Sequence, residues 1–209
     1  MYNFDFWKIE LSILGKSTEE INRLLNKLPI KKIHLDIMDG YFVNNVSNIN
    51  PYFLKELWFD KTDKYKFHLH FMVEDVEIYF DYFYFLKNIK RVSFHVESKF
   101  FKEDKFINLI NLLKNKWIKI WLVFNPDTKV ENYEKYINKF DFIQLMTVYP
   151  WKWWQKFLLE MYNKIKKTRN WYNWELLIDW WVNYEVYKKL KDLVDIFVIG
   201  SFLFNSLKL

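Results

Sequence analysis

A short apolar run, residues 33–40 (IHLDIMDG), carries an imidazole and a carboxylate two residues apart. Side chains alternate between the two faces of a β-strand, so His34, Asp36 and Met38 are predicted to lie on one face. Burying such polar groups is costly unless something binds them. Imidazole nitrogen and carboxylate oxygen together suit Zn²⁺, Fe²⁺ or Mn²⁺. The sequence therefore predicts a divalent metal site on this strand.

A second apolar run, residues 65–72, repeats the pattern, with His68, His70 and Met72 on one face. A third apolar run ends in Asp179. Two histidines and two aspartates near the ends of three strands favour one shared metal site over separate core residues. The predicted metal ligands are His34, Asp36, His70 and Asp179.

Strand-like runs alternate with helix-like segments along the chain and give eight strand–helix units, one of whose helices is predicted over residues 155–168. Such alternation implies a parallel sheet with helices outside it. Eight units favour a closed (β/α)8 TIM barrel, an α/β fold, over a doubly wound sheet, as a single domain over residues 1–209. The active site of such barrels lies at the C-terminal strand ends, where the predicted ligands fall. His68 and His95 are each interpreted as structural core residues.

The composition limits the class of protein. The chain has no cysteine, which excludes disulfides and thiolate metal ligands. No apolar run reaches the ~18 residues of a membrane span and the N-terminus lacks a signal-peptide pattern, so we expect a cytoplasmic protein with no membrane partner. The net charge is +6, but the lysines are scattered along predicted helices, as on solvated faces. We therefore expect no nucleic-acid partner, and the positive field would also attract small anions.

Seven motifs occur in the order HLDIMDGYFVNN, HLHFMVED, VSFHVES, LVFNPDT, LMTVYPWKWWQKF, LLIDWWVN and FVIGSFLF. They resemble the ribulose-phosphate 3-epimerase family, whose patterns are approximately HxDxMDGxFVPN, HLMV, FHxE, LNPxT, MxVNPGFGGQxF, DGGVN and GSxxF. The resemblance extends from Ser12 to Phe204, and its first and fifth motifs are specific to the epimerase. It implies a barrel of the ribulose-phosphate-binding type.

The resemblance also implies an activity, the epimerisation of D-ribulose 5-phosphate to D-xylulose 5-phosphate at C3 through an enediolate. It assigns the metal to the four ligands above, and the acid and base to Asp36 and Asp179. The metal is expected to be Zn²⁺, with Fe²⁺, Mn²⁺ or Co²⁺ as alternatives, and the partner is a phosphorylated ketose. A homo-oligomer is left open. The implied substrate contacts are Ser12, His70, Met38, Met72 and Met146. The implied phosphate site comprises Trp151, Lys152, Trp153, Trp154, Trp180, Trp181, Gly200 and Ser201.

The phosphate motifs depart from the family pattern. NPGFGGQ is replaced by YPWKWWQ and DGGVN by DWWVN, so five glycines of the pattern are tryptophan in this chain. Three interpretations follow. The chain is an active epimerase, a non-catalytic degenerate barrel that has lost its phosphate site, or an epimerase for a related six-carbon ketose phosphate.

The chain contains 3 glycines and 11 tryptophans. At the usual share of about 7%, a chain of this length would have roughly 15 glycines, so counting the tryptophans as glycine restores the usual share. Trp117 and Trp121 also stand where the family often has glycine. We therefore hypothesise that most of these tryptophans are glycine in the cellular protein, because UGA codons are decoded as glycine. The alternative is a real aromatic-rich chain that no longer binds phosphate.

Overall fold

The computed structural model describes residues 2–102, 104–137, 140–150 and 155–206. Eight parallel strands pair in chain order and the eighth pairs with the first, which confirms the predicted barrel over the doubly wound sheet. The strands are β1 (Ile9–Ser12), β2 (Lys32–Met38), β3 (Lys66–Met72), β4 (Ile89–His95), β5 (Lys119–Phe124), β6 (Phe142–Met146), β7 (Glu175–Asp179) and β8 (Ile196–Ile199). The α-helices are α1 (Thr18–Lys27), α2 (Pro51–Glu56), α3 (Val76–Phe83), α4 (Asp104–Asn115), α5 (Glu134–Ile137), α6 (Glu160–Trp171), α7 (Tyr184–Leu190) and α8 (Ser201–Ser206).

Polar side chains begin several helices at fixed residues. Ser17 and Glu20 form a capping box, in which each side chain accepts a hydrogen bond from the backbone N–H of the other. Asp75 and Asn183 accept backbone N–H groups in the first turns of α3 and α7. Such caps satisfy N–H groups that have no partner within the helix. None of the helices in the described ranges is long and apolar enough to cross a membrane.

The helix after β6 begins later than predicted. The sequence pattern predicts a start at Gln155, whereas α6 spans Glu160–Trp171. The Gln155 amide donates to the Tyr149 carbonyl at 2.7 Å and accepts from the Tyr149 N–H at 3.2 Å. The Leu158 N–H donates to the Thr147 carbonyl at 3.1 Å. These long-range hydrogen bonds hold the segment against the end of β6 and override its local preference for helix.

The interior of the barrel contains a polar and an apolar group of side chains. Outside the barrel, a continuous apolar layer fills the space between strands and helices. Inside it, β5 to β8 contribute a separate buried apolar cluster: Trp121, Phe142, Leu177, Ile196 and Val198. The buried polar residues on the strands are Glu10, His34, Asp36, His68, His70, Ser93 and His95 on β1 to β4, with Gln144 on β6 and Asp179 on β7. Because a buried polar group must be bonded, these residues mark the part of the barrel interior that is suited to chemistry.

The backbone adopts a left-handed φ at six described residues. Two are Gly15 (68°) and Gly40 (84°), and the other four are Trp58 (59°), Trp117 (59°), Trp180 (77°) and Trp181 (52°). The conformation costs a residue with a Cβ about 1–2 kcal/mol. Every non-glycine residue of this kind in the described part of the chain is thus a tryptophan.

Candidate active site

Four fully buried side chains converge at the C-terminal ends of β2, β3 and β7. His34 Nε2 lies 3.3 Å from both Asp36 Oδ1 and Asp179 Oδ2. His70 Nδ1 lies 3.1 Å from each of these two oxygens and 3.3 Å from His34 Nε2. We call these four residues the His–Asp quartet. Their ligand atoms lie within 4.8 Å of one another and could hold a metal ion, and they are the four residues that the sequence predicts.

The register of the strands places part of the quartet at one level. Asp36 on β2 is the register partner of His70 on β3, and Asp179 on β7 is the register partner of Met146 on β6. Parallel strands in a barrel place inward-facing residues in layers. His34 lies two residues below Asp36 on the same face of β2, and its ring nitrogen Nε2 reaches up to the layer above. Strand register and the length of the His34 side chain together form the quartet.

The histidines and aspartates of the quartet shift one another's pKa values. Burial lowers the pKa of His34, but Asp179 and Asp36 raise it well above its ordinary value. Burial raises the pKa of Asp36, but His34 and His70 more than offset it and hold it below its usual range. The pKa of His70 is raised and that of Asp179 is lowered by the same contacts, each against the effect of burial. Contact between the imidazoles and the carboxylates thus favours the charged form of each group, against the effect of burial.

The two aspartates are anchored differently. The Ser12 hydroxyl donates to Asp36 Oδ2 at 2.7 Å, so both oxygens of Asp36 are engaged. The Gln144 amide donates to Asp179 Oδ2 at 2.8 Å. Asp179 Oδ1 is buried and has no hydrogen-bond partner among the described residues. Asp179 therefore keeps one oxygen available to a bound molecule.

His95 borders the quartet, although it is interpreted from the sequence as a structural residue. Its Nε2 lies 2.9 Å from His70 Nε2, and its Nδ1 lies 3.4 Å from Glu97 Oε2. Burial lowers the pKa of His95, so its ring favours the neutral form. A neutral His95 ring can fix the orientation of His70 by a hydrogen bond on the side away from the aspartates.

The predicted methionine contacts lie around the mouth of the site. Met38 and Met72 are register partners and pack with Val43, while Phe42 packs against the same cluster. Met146 is fully buried next to Asp179 in register. These methionines form an apolar border to the His–Asp quartet.

The predicted phosphate residues are described only in part. Gly200 lies so close to β1 that a Cβ there would meet the Ser12 carbonyl oxygen at 3.0 Å. Ser201 begins α8, and Trp180 and Trp181 directly follow β7. Trp151, Lys152, Trp153 and Trp154 lie outside the described residues. The described members follow the C-terminal ends of β7 and β8.

A second polar cluster lies below the quartet, and the sequence analysis missed its centre. Glu10 Oε2 accepts a hydrogen bond from His68 Nδ1 at 2.7 Å and lies 3.4 Å from His34 Nδ1. The Arg91 guanidinium donates to Glu10 Oε1 at 2.7 Å and to Glu175 Oε1 at 3.1 Å. Burial, together with His34 and Arg91, lowers the pKa of His68 to about 4. From the sequence, Glu10 resembles a surface residue. The one feature that indicates an inward-facing side chain is that Glu10 shares a strand face with Ser12.

This lower cluster orients His34. The ligand atoms of Glu10, His34 and His68 lie close enough together to hold a cation. The Arg91 guanidinium, however, already neutralises the Glu10 carboxylate. We therefore interpret Glu10 as the acceptor that faces the Nδ1 atom of His34. A hydrogen-bond acceptor at one ring nitrogen of a histidine directs the other nitrogen toward its ligand.

Comparison with known proteins agrees with the geometry. The model of the Ribulose-phosphate 3 epimerase family matches residues 8–204. The chain belongs to this family. Among its relatives is the ribulose-phosphate 3-epimerase of Mycoplasma genitalium, 34% identical over 82% of this chain and 78% of the relative. That of Methanocaldococcus jannaschii is 28% identical over 95% of this chain and 85% of the relative.

Solved structures with the same fold include a mutant tryptophan synthase alpha-subunit from Pyrococcus furiosus. It superimposes with a TM-score of 0.67 at 14% identity, over 100% of this chain and 92% of the other. At that identity the likeness shows the barrel fold alone. The epimerase-family barrel thus has structural neighbours that differ widely in sequence.

We predict that Glu10→Gln weakens metal binding at the quartet. The substitution keeps the shape of the side chain but removes the charge that faces His34 Nδ1. Loss of such a supporting group typically lowers metal affinity by about 10–100-fold. Competition of the purified protein with a chelating dye for Zn²⁺ or Co²⁺ measures the affinity.

The matched control is Glu175→Gln, because Glu175 also binds Arg91 but is not among the partners of His34. It should leave the metal affinity unchanged. Equal affinities for wild type and Glu10→Gln, at comparable thermal stability, would show that Glu10 does not support His34.

Proposed function

We propose that this protein is a metal-dependent epimerase that inverts C3 of a ketopentose phosphate, interconverting D-ribulose 5-phosphate and D-xylulose 5-phosphate. The observation that carries the proposal is the buried His–Asp quartet at the C-terminal strand ends of a barrel that belongs to the epimerase family. The names of the curated relatives support the same reaction.

The quartet fits a divalent cation in geometry and in charge. Tetrahedral ligands about 2.0–2.1 Å from Zn²⁺ lie about 3.3–3.4 Å from one another, close to the spacing in the quartet. A divalent cation would also replace the charge of two imidazolium protons. Two nitrogen and two oxygen ligands suit Zn²⁺, with Fe²⁺, Mn²⁺ and Co²⁺ as alternatives. The bound ion would supply Lewis-acid stabilisation of negative charge on the substrate oxygens.

The chain's own residues supply the proton transfers. Inverting a carbon next to a carbonyl requires removal of a proton from one face and return of a proton to the other, through an enediolate. Asp36 and Asp179 come from β2 and β7, on different sides of the barrel mouth, which suits one carboxylate for each face. The unpartnered Oδ1 of Asp179 supports its role as one of the two groups. The Ser12 hydroxyl orients Asp36.

The methionines would protect the enediolate from water. Met38, Met72 and Met146 are all buried at the mouth of the site. Their thioethers are polarizable and carry no strong hydrogen-bond donor, so they can line the reacting carbons without competing for the proton. We assign them and His70 as substrate contacts.

The phosphate group would lie on the loops that follow β6, β7 and β8. Gly200 and Ser201 open α8, where backbone N–H groups have no partner within the helix. The segments 151–154 and 180–181 would complete this phosphate site. Indole rings at 180 and 181 would occupy space next to Asp179, so binding of phosphate depends on the identity of these residues.

The retained quartet argues against a non-catalytic degenerate barrel. Four buried polar groups cost free energy when nothing binds them, so a barrel kept only for its shape would be expected to replace them with apolar residues. A six-carbon ketose phosphate remains the second candidate substrate, since the same chemistry would invert its C3. Comparing turnover of the two substrates separates these functions.

We predict that the His34→Ala, His70→Ala double variant loses its bound metal. Each substitution removes one of the two nitrogen ligands of the quartet. Elemental analysis of purified protein gives the metal content per chain, with about one ion expected in the wild type. Glu175→Gln is the control, because Glu175 binds Arg91 and lies outside the quartet, so the metal content should be unchanged. Unchanged metal content in the double variant would exclude this site.

We also predict that Asp179→Asn reduces epimerisation by at least about 10²–10⁴-fold, the usual contribution of a general acid–base group. Exchange of the C3 proton with solvent should survive from one substrate epimer only, because Asp36 still serves its own face. Proton NMR in D₂O follows the exchange, and a coupled assay follows turnover.

Asp192→Asn, at an exposed residue before β8, is the matched control and should leave turnover unchanged. Full turnover in Asp179→Asn would refute the mechanism with two carboxylates. Absence of activity in the unmutated chain, with metal bound, would favour the degenerate barrel.

A further inference from the structure

The C-terminus of α4 has the geometry of a Schellman motif. The Ile118 N–H donates to the Leu113 carbonyl at 3.1 Å, and the Trp117 N–H donates to the Lys114 carbonyl at 3.0 Å. In this motif the first residue beyond the helix, which here donates to Lys114, adopts a left-handed φ, and glycine is therefore usual at that position. In this chain it is Trp117, with φ of 59° and a side chain that is 90% exposed. An indole so exposed gains little packing in return for the strained backbone.

The end of α2 shares part of this arrangement. The Trp58 N–H donates to the Lys55 carbonyl at 2.9 Å, and its φ is 59°. Its ring is also exposed and lies 4.5 Å from the Lys61 ammonium. Here too a left-handed residue ends the helix, and its side chain adds little packing.

The turn after β7 contains two consecutive left-handed residues, Trp180 and Trp181. The Thr147 hydroxyl, one residue after β6, lies 2.9 Å from the carbonyl oxygen of Asp179 and within hydrogen-bond distance of that of Trp180, so its proton is shared between them and it anchors the turn. Left-handed conformations occur routinely only in glycine, and rarely in successive residues with a Cβ.

The left-handed φ belongs to these places in the fold and is not a general property of tryptophan. The other described tryptophans do not have a left-handed φ, namely Trp7, Trp121, Trp171 and Trp174. Asparagine and aspartate tolerate the conformation best after glycine, yet neither occupies such a position in the described ranges. Independent drift away from glycine would have produced a mixture of residues that included them.

We infer that Trp58, Trp117, Trp180 and Trp181 are glycine in the protein that the cell makes, because one codon, UGA, is decoded there as glycine. A single decoding rule explains why the same residue replaces glycine each time. The inference does not rest on the proposed function, since two of the four positions end helices far along the chain from the predicted phosphate loops. It does bear on that function, because glycine at 180 and 181 would clear the space next to Asp179 and let the backbone approach a phosphate.

Mass spectrometry of the protein purified from its own cells tests the inference without any measurement of activity. Tryptic cleavage yields peptide 56–61, which covers Trp58, and peptide 170–188, which covers Trp180 and Trp181. A second protease yields the peptide across Trp117. Each glycine lowers the peptide mass by the same fixed amount. We expect glycine at all four positions, and tryptophan at any of them would overturn the inference.

Thermal unfolding of the recombinant chain with tryptophan tests the physical reason. Trp58→Gly and Trp117→Gly should each raise the Tm by about 2–4 °C. Glycine relieves the strain of the left-handed backbone in the folded state, and the resulting gain in stability shifts the Tm of a domain of this length by about that amount. The matched control is Trp174→Gly, at an exposed tryptophan without left-handed φ. At position 174 glycine relieves no strain and only increases the conformational entropy of the unfolded chain, so the Tm should be unchanged or lower. A fall in all three variants would contradict the structural argument.

Discussion

The fold of this protein depends on how it accommodates charged side chains that are fully buried inside a barrel. The His–Asp quartet places two imidazoles and two carboxylates within hydrogen-bond distance of each other in a fully buried layer. Removing any one partner would leave a buried charge uncompensated, which is among the more destabilising changes in a protein. Most of the buried polar residues lie on β1 to β4, and Gln144 on β6 and Asp179 on β7 complete the polar group. An apolar cluster from β5 to β8 fills the rest of the interior.

The lower polar cluster continues the pairing of buried charges toward the other end of the barrel. Glu10 links His34 and His68 on one side to Arg91 on the other, and Arg91 reaches Glu175 near the surface. Groups of opposite charge are thus in contact from His34 through Glu10 to Arg91 and Glu175. A network of this kind fixes the orientation of each ring and reduces the freedom of the site before any ligand binds.

Much of this could be predicted from the sequence, and the exceptions have physical reasons. The period of two along β2 and β3 identified His34, Asp36 and His70, because inward-facing positions repeat on every second residue. The predicted start of α6 is wrong, because Gln155 and Leu158 are hydrogen-bonded to Tyr149 and Thr147 in the preceding loop. The apolar pattern of a helix does not indicate such hydrogen bonds. Glu10 was missed for a related reason. A single acidic residue in a strand looks the same whether it faces solvent or an arginine on another strand.

The contact between Gly200 and Ser12 joins the first and the eighth strand of the barrel at the site. The barrel closes where β8 meets β1, and a Cβ at Gly200 would lie only 3.0 Å from the Ser12 carbonyl oxygen, so a side chain there would push the two segments apart. Ser12, on the other side of the seam, holds Asp36. β1 therefore gains its partner β8 only when the barrel has closed through the six strands between them in the sequence. A barrel without β8 would leave Ser12 at an open sheet edge, so the position of Asp36 depends on closure of the whole barrel.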